Sequence, residues 1–382
     1  MKLYEKFKTL TDIGWLFLKL GATAFGGPAV HIAMVEDEVV EKRKWMSREH
    51  YLDLIGATNL IPGPNSTEVV LHCGMHRAGL AGLLIAGISF IFPAFLMTLG
   101  LSWLYTKSGS IPDIELWLFG IKPVMVVVIS FAVFKLGKKA CNSKLKVMIS
   151  CIVFALAISG RSEVLALLIG GILGIIISYL PTNKKRLFGI SFPILPLLPE
   201  FVEKLISSKL GVLFLESLKI GSILYGSGYV LIAYVEHTFV GELGWMTPGL
   251  LLDAVAIGQL TPGPVLTTAT SIGYFMAGAW GAVFATLGIF LPSFVFVLIL
   301  NPLIPKLRKS KITAGFLDGI NSGVMGLIVA VIIKLSGQVL INWQGVLILV
   351  FALLWMRLKP FSLGVPYLIG ASSLLGWVLF LF

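Results

Sequence analysis

The chain has 382 residues, of which 57% are hydrophobic and 13% are charged, and it carries a formal net charge of +11. A mean hydropathy of +0.94 excludes an ordinary soluble domain of this length. Lysine and arginine cluster in short loops between apolar runs, as in the cytoplasmic loops of membrane proteins, so the positive charge does not indicate nucleic acid binding. Several apolar runs, with their flanks, reach the ~20 residues that cross a bilayer. The composition therefore predicts an all-α integral membrane protein.

The first half opens with an apolar segment at about 11–35, which Gly26-Gly27-Pro28 interrupts. A basic loop follows at 36–48, and then a polar segment, 48–75, that contains Pro62-Gly63-Pro64. Proline has no N–H to donate and disrupts the preceding turn, so this triplet breaks a helix. We therefore expect 48–75 to enter the membrane and return, rather than to cross it. Full crossings are expected near 79–105, 112–135, 145–160 and 163–181.

A basic, proline-rich segment, 182–209, separates the two halves and is predicted to be a cytoplasmic linker. The second half repeats the order of the first, with a re-entrant segment at 247–273 that contains Pro262-Gly263-Pro264. The sequence thus predicts a first repeat at 1–181, the linker, and a second repeat at 210–382, with about five transmembrane helices in each repeat. Crossings of the second repeat are expected near 211–235, 276–302, 313–335, 340–357 and 361–381.

The two halves are related by an internal duplication. Residues 18–67 align with 218–267 without a gap, and nineteen of these fifty positions are identical. One residue is then lost, after which Gly79 corresponds to Gly278. Composition alone would give about four or five identities. A duplicated unit therefore explains the match.

Equivalent loops of the two halves differ in positive charge. Loop 36–48 contains four basic residues, whereas its counterpart 236–248 contains none. Segment 104–115 has one lysine, whereas its counterpart near 303–314 has four basic residues. Because basic loops stay in the cytoplasm, equivalent loops are predicted to lie on opposite membrane faces. The predicted fold is therefore two inverted-topology repeats with helices that break at the Pro-Gly-Pro motifs, as in many secondary transporters.

Four helix starts at membrane depth are expected to bind an anion. They follow Gly26-Gly27-Pro28, Pro64, Gly226-Ser227-Gly228 and Pro264, and helix N-termini offer free N–H groups and the positive end of the helix dipole. The pairing of the breaks favours a substrate site over the alternative, simple helix capping by hydroxyl side chains. The predicted substrate-binding residues are Gly26, Gly27, Pro62, Gly63, Pro64, Asn65, Ser66, Thr67, Lys122, Gly226, Ser227, Pro262, Gly263, Pro264, Thr267 and Thr268.

Lys122 lies near the middle of an apolar span, and its counterpart in the second half is Asn321. A lysine at this depth is costly unless it is paired or serves function. Two interpretations stay open. The ammonium binds a doubly charged oxyanion, or a carboxylate such as Glu68 neutralises it within the protein.

Glu68, His72 and His76 are spaced four residues apart and share one helical face. Histidine titrates near neutral pH, so this face is a candidate proton relay, with polar packing as the alternative. Asp53 and Asp253 correspond across the repeat and are expected to orient the broken helices. The residues predicted to take part in ion coupling are Glu68, His72, Asp53 and Asp253. We expect no metal site, cofactor or enzymatic activity, because no known ligand spacing or catalytic motif is present.

These motifs together resemble the chromate ion transporter family in its long, two-domain form. The resemblance in the first half rests on Phe25-Gly26-Gly27-Pro28, Glu36, Trp45, Asp53, Pro62-Gly63-Pro64, Gly79, Gly82 and Phe92-Pro93. The second half repeats it as Tyr225-Gly226-Ser227-Gly228, Glu236, Trp245, Asp253, Pro262-Gly263-Pro264, Gly278, Gly281 and Leu291-Pro292. Ser227-Gly228 stands where the first half has Gly-Pro, and Val265 stands where it has Asn65, so the two half-sites are not expected to be equivalent.

The resemblance implies a secondary active, multi-pass permease of the cytoplasmic (inner) membrane that exports chromate and confers chromate resistance. The driving force would be the proton or ion gradient. The resemblance does not fix the oxyanion, so sulfate or another small anion stays open, as does an oxyanion-selective channel. The implied partners are a small inorganic oxyanion and the lipid bilayer, without nucleic acid, and a homodimer is left open.

Overall fold

The computed structural model shows an all-helical chain. The described residues are 2–24, 28–58, 61–107, 112–179, 208–225, 228, 230–300, 311–339, 342–358 and 361–380. Within these ranges no residue belongs to a β-strand, in agreement with the predicted all-α class. The predicted linker 182–209 lies outside them except for its last two residues, so its placement and the repeat boundaries stay predictions.

Each half contains seven α-helices among the described residues, in the same order. The first half contains α1 (Lys2–Thr23), α2 (Pro28–Glu36), α3 (Arg48–Thr58), α4 (Asn65–Lys107), α5 (Pro112–Ala140), α6 (Lys144–Ile158) and α7 (Glu163–Tyr179). The second half contains α8 (Lys209–Ile223), α9 (Val230–Val235), α10 (Pro248–Leu260), α11 (Thr268–Leu300), α12 (Lys311–Val339), α13 (Trp343–Leu358) and α14 (Phe361–Phe380). Helices α2 and α9 both continue in a π-helical turn, at Asp37–Lys42 and Glu236–Glu242.

Many of these helices are apolar enough for a bilayer, where only helices and closed barrels satisfy every backbone hydrogen bond. Among the described residues, four stretches are long enough to cross: Asn65–Lys107, Phe119–Lys138, Val265–Ile299 and Ala314–Gly337. Shorter apolar helices are Glu163–Ser178, Pro248–Leu260, Trp343–Leu358 and Tyr367–Leu379. The structure is therefore that of a multi-pass membrane protein, whereas the number of five crossings per repeat stays a prediction.

A tight turn interrupts α4 at Ala78-Gly79, and an equivalent turn interrupts α11 at Ala277-Gly278. The backbone angles φ and ψ are 62° and −148° at Gly79, and 62° and −153° at Gly278. Glycine adopts this region readily, and residues with a Cβ adopt it only under strain. The near-identical angles show that the duplication recognised in the sequence is also a structural repeat.

Each turn closes a hairpin of two helices. A Cβ on Gly82 would lie 2.1 Å from the carbonyl oxygen of Gly74, and a Cβ on Gly281 would lie 2.1 Å from that of Gly273. Such contacts are accessible only to glycine, and small residues of this kind let helices in membranes approach closely. The short helix 65–77 therefore folds back against 80–107, and 268–276 folds back in the same way in the second half.

Helices α5 and α12 exchange partners between the halves. The first-half helix α5 packs against the second-half helices α13 and α14, and the second-half helix α12 packs against the first-half helices α6 and α7. Glycines make both contacts close, because a Cβ on Gly120 would lie 2.0 Å from the Ser372 carbonyl oxygen and a Cβ on Gly319 would lie 2.2 Å from that of Gly170. The packing between the halves is therefore reciprocal.

The equivalent helices α4 and α11 run antiparallel where they meet. Near the start of 80–107, a Cβ on Gly87 would lie 2.4 Å from the ring of Phe294, close to the end of α11. Near the end of α4, the hydroxyl of Ser102 lies 2.7 Å from that of Ser271 on the short helix 268–276. The neighbouring Thr270 lies 2.8 Å from Thr286, near the start of 279–300. Helices 80–107 and 279–300 therefore run in opposite directions across the interface between the halves.

Candidate functional site

The two Pro-Gly-Pro breaks lie against the other half of the protein. The N–H of Gly63 donates to the carbonyl of Leu224 at 2.6 Å, and the N–H of Gly263 donates to the carbonyl of Ala24 at 2.9 Å. Ala24 and Leu224 are equivalent residues, and each directly follows the first helix of its half. These two hydrogen bonds are thus related by the repeat, and each joins a Pro-Gly-Pro motif to the first break of the opposite half.

His31 connects the two motifs to each other. Its Nε2 lies 3.0 Å from the carbonyl of Ala24, which also accepts from Gly263, and its Nδ1 lies 3.4 Å from the hydroxyl of Ser66. Because a carbonyl can only accept, Nε2 carries a proton, and in the neutral ring Nδ1 accepts from Ser66. The His31 side chain is buried, with 1% exposure. Since its counterpart is Leu231, this link exists in one half only.

The predicted helix-start residues differ between the halves. The hydroxyls of Thr267 and Thr268 donate to the carbonyls of Pro264 and Val265, both at 2.8 Å, so they stabilise their own first turn. The buried hydroxyl of Thr67, in contrast, has no hydrogen-bond partner among the described residues. The prolines and glycines of both triplets are buried. Gly26, Gly27, Gly226 and Ser227 lie outside the described residues.

Glu68 is fully buried beside the first Pro-Gly-Pro motif. Neither carboxylate oxygen has a hydrogen-bond partner among the described residues, and the same holds for the buried hydroxyl of Ser293. Both groups approach Gly63, because a Cβ there would lie 2.3 Å from Glu68 Oε1 and 2.5 Å from Ser293 Oγ. Ser293 belongs to the second half and corresponds to Ala94, so comparison of the two halves gave no reason to select it as a site residue.

The Glu68, His72 and His76 line runs from the interior to the surface. Glu68 and His72 are buried, whereas His76 is exposed and its ring centroid lies 5.0 Å from that of His50 on α3. Its role as a proton relay stays a prediction. The side chain of Asp53, on α3, lies outside the described residues. Within the described part of the chain, no three His, Cys, Asp or Glu side chains cluster so as to hold a metal ion.

Lys122 is paired inside the protein. Its ammonium lies 3.3 Å from Oδ2 of Asp253, and the same oxygen accepts from the hydroxyl of Tyr105 at 2.9 Å. The internal partner is therefore Asp253 and not Glu68, the carboxylate suggested by the sequence. The Asp253 side chain is 3% exposed and that of Lys122 is 35% exposed. The lysine thus stays reachable while its partner is buried.

Comparisons with known proteins bear on the family of the chain. The family model described as chromate transporter matches twice, at residues 11–175 and 211–377. A chromate transport protein of Pseudomonas aeruginosa is 31% identical over 95% of this chain and 91% of its own length. A chromate transport protein of Cupriavidus metallidurans is 28% identical over 97% and 93%, and a probable chromate transport protein of Synechococcus elongatus is 29% identical over 96% and 95%.

No solved structure matches the chain. The family model nevertheless covers both halves, and the relatives match over nearly their full length. These matches confirm the resemblance seen in the sequence motifs. The chain belongs to the chromate transporter family, and it is a multi-pass membrane transporter and not an enzyme.

Proposed function

We propose that this protein is a secondary active transporter that exports chromate, or a related oxyanion such as sulfate, across the cytoplasmic membrane. The observation that carries the proposal is the joining of all four helix breaks across the two halves, through the Gly63–Leu224 and Gly263–Ala24 hydrogen bonds. In transporters built from repeats, substrates bind where discontinuous helices of the two repeats meet. The names of the full-length relatives supply the substrate.

The two repeats are proposed to have inverted topology. The antiparallel contact of α4 with α11 supports this arrangement, because equivalent membrane-crossing helices that run in opposite directions require their repeats to be inverted. The charge difference between loops 36–48 and 236–248 supports it independently. An inverted pair allows the same rocking motion to open the site alternately to each face.

The oxyanion is proposed to bind at the start of helix 65–77. First-turn N–H groups and the helix dipole favour an anion there, and the hydroxyl of Thr67 is free of other described partners. In the second half, Thr267 and Thr268 donate to their own turn. The anion would therefore contact mainly the first half-site, with the Pro262-Gly263-Pro264 backbone completing its surroundings.

Glu68 is proposed to couple transport to the proton gradient. A carboxylate without an ion pair among the described residues, inside a membrane protein, is by default a functional group. The carboxylate lies beside Gly63 of the first half and Ser293 of the second half, so its surroundings depend on the contact between the two halves. Protonation would change the charge beside the anion site, so the protonation of Glu68 and the binding of the anion would be linked.

Oxyanion flux in proteoliposomes tests this function. We expect radiolabelled chromate to accumulate above its equilibrium level when a pH gradient is imposed, whereas a channel would only equilibrate it. Glu68→Gln should lower gradient-driven accumulation at least about tenfold, or ~1.4 kcal/mol, while anion exchange persists. Glu49→Gln, at an exposed position on α3, is the control. Absence of flux for chromate and sulfate would refute the substrate assignment, and full accumulation by Glu68→Gln would refute the coupling role.

A further inference from the structure

A line of hydrogen bonds joins the two halves along α4. Thr98, Ser102 and Tyr105 are spaced at four and three residues and therefore share one face of that helix. Thr98 donates to Thr261 at 3.2 Å, Ser102 lies 2.7 Å from Ser271, and Tyr105 donates to Asp253 at 2.9 Å. We call these six residues the polar seam. It leads from Asp253 on α10 to Thr261, which directly precedes the second Pro-Gly-Pro motif.

The repeat places apolar residues opposite part of the polar seam. Ile61 corresponds to Thr261 and Val297 corresponds to Thr98. Both belong to one buried apolar cluster, together with Leu71 and Leu83. The counterpart of Asp253 is Asp53, whose side chain lies outside the described residues, as do the counterparts of Ser102 and Tyr105 in 301–310. At Thr98 and Thr261 the protein thus has one polar and one apolar version of the same contact between its halves.

The polar seam and the apolar cluster differ in the free energy that is needed to separate the two halves there. Hydroxyl groups that part can exchange their hydrogen bonds for bonds to water, so the net loss is small. Apolar side chains that part must expose their surface to water, which is unfavourable. The polar seam is therefore the side on which the halves separate more readily, and the apolar cluster is the side that stays closed.

Lys122 forms an ion pair at the end of the polar seam that is farthest from the second Pro-Gly-Pro motif. Its ammonium is bonded to Asp253 and also lies over the first turn of α10, 3.6 Å from the position of a Cβ on Gly249. Lys122 is reachable, whereas Asp253 is almost fully buried. An anion that approaches this end therefore meets the positive partner first.

We propose that the Lys122–Asp253 pair is an oxyanion-sensitive gate on the access route to the second Pro-Gly-Pro motif. The proposal rests on the proposed oxyanion transport. An arriving oxyanion forms an ion pair with the ammonium of Lys122 in place of Asp253, while Asp253 keeps its hydrogen bond from Tyr105. Without the ion pair, the two sides of the polar seam separate and water enters between them. The anion can then reach Thr261. The route opens on the membrane face that carries loop 236–248.

Thiol accessibility tests this gate without relying on transport. The full-length protein is first freed of its native thiols at Cys73, Cys141 and Cys151. The reporter is then Ser271→Cys, and the control is Leu71→Cys, at a fully buried position of the apolar cluster. Both are exposed to a small cationic, membrane-impermeant methanethiosulfonate, with and without saturating chromate or sulfate, and the modification rate is followed by mass spectrometry.

We expect chromate or sulfate to accelerate modification of Ser271→Cys about tenfold, which corresponds to ~1.4 kcal/mol. Asp253→Asn should accelerate it without any anion, because Lys122 is then no longer held, and Leu71→Cys should stay unmodified throughout. Chromate flux in the parent protein without any change in labelling would overturn the gate alone. Labelling that responds to Asp253→Asn but to neither anion would overturn the oxyanion trigger, and the proposed substrate would be overturned with it only where chromate and sulfate flux are absent as well.

Discussion

The pairing of Lys122 with Asp253 allows two roles of the lysine to be separated. If Lys122 only neutralises a buried carboxylate, removing both charges should restore both the stability and the transport activity of the protein. If Lys122 also contacts the oxyanion, removing both charges should restore stability but not transport. We therefore compare Lys122→Met, Asp253→Asn and the double variant, because methionine keeps the length of the side chain and asparagine keeps the acceptor oxygen for Tyr105.

The structure gives the size of the expected effect. Loss of one partner from a buried ion pair costs about 3–5 kcal/mol. Lys122 is 35% exposed, so water compensates part of this loss, and we expect about 1–3 kcal/mol for Lys122→Met, the range for one unsatisfied buried group. The double variant should be within ~1 kcal/mol of the parent, since removal of both partners leaves no uncompensated buried charge.

Two measurements on the same preparations decide between the roles. Thermal unfolding in detergent should show a lower midpoint for Lys122→Met and recovery in the double variant. Chromate flux should fall at least about tenfold in both, a change of ~1.4 kcal/mol. Lys122→Arg keeps the charge and should retain part of the flux. Recovery of flux together with stability in the double variant would refute any contact between Lys122 and the oxyanion.

Two further predictions concern the fold and its orientation. Gly79→Ala and Gly278→Ala should each destabilise the protein by about 1–3 kcal/mol. The cause is backbone strain alone, since no atom lies within 4 Å of the new methyl group. The control is Gly100→Ala at an equally open helical site, which should not lower the midpoint of thermal unfolding. Single cysteines in 236–248 should react with impermeant reagents from outside intact cells, and cysteines in 36–48 only after permeabilisation; reaction of both from the same side would exclude inverted repeats.

The backbone of this fold was largely predictable from the sequence. Proline and glycine have local consequences, so Pro62-Gly63-Pro64 and Pro262-Gly263-Pro264 indicated breaks wherever the rest of the chain lay. The identical spacing of the motifs in the two halves indicated the duplication. The tight turns at Gly79 and Gly278 were recognised only as matching glycines, because a positive φ is a property of the folded backbone.

The side-chain partners were not predictable in the same way. Asp253 lies 131 positions from Lys122 in the chain, and their contact depends on how α10 packs against α5. Ser293 and His31 correspond to alanine and leucine, so comparison of the halves gave no reason to select them. A buried carboxylate such as Glu68 can be suspected from an apolar sequence, but its neighbours become known only when the two halves are placed together.

The residues that the halves share and those that they do not share have different physical roles. Glycines that touch another backbone, such as Gly74 and Gly273, are retained in both halves because each hairpin needs the same close approach. Several groups that contact the site have diverged, as in Ser293 against Ala94 and His31 against Leu231. The direction of net flux in a secondary transporter is set by the gradients of the ion and the substrate, so this divergence does not decide it. The divergence instead decides which half offers its polar groups at the site, while the backbone turns at Gly79 and Gly278 stay the same.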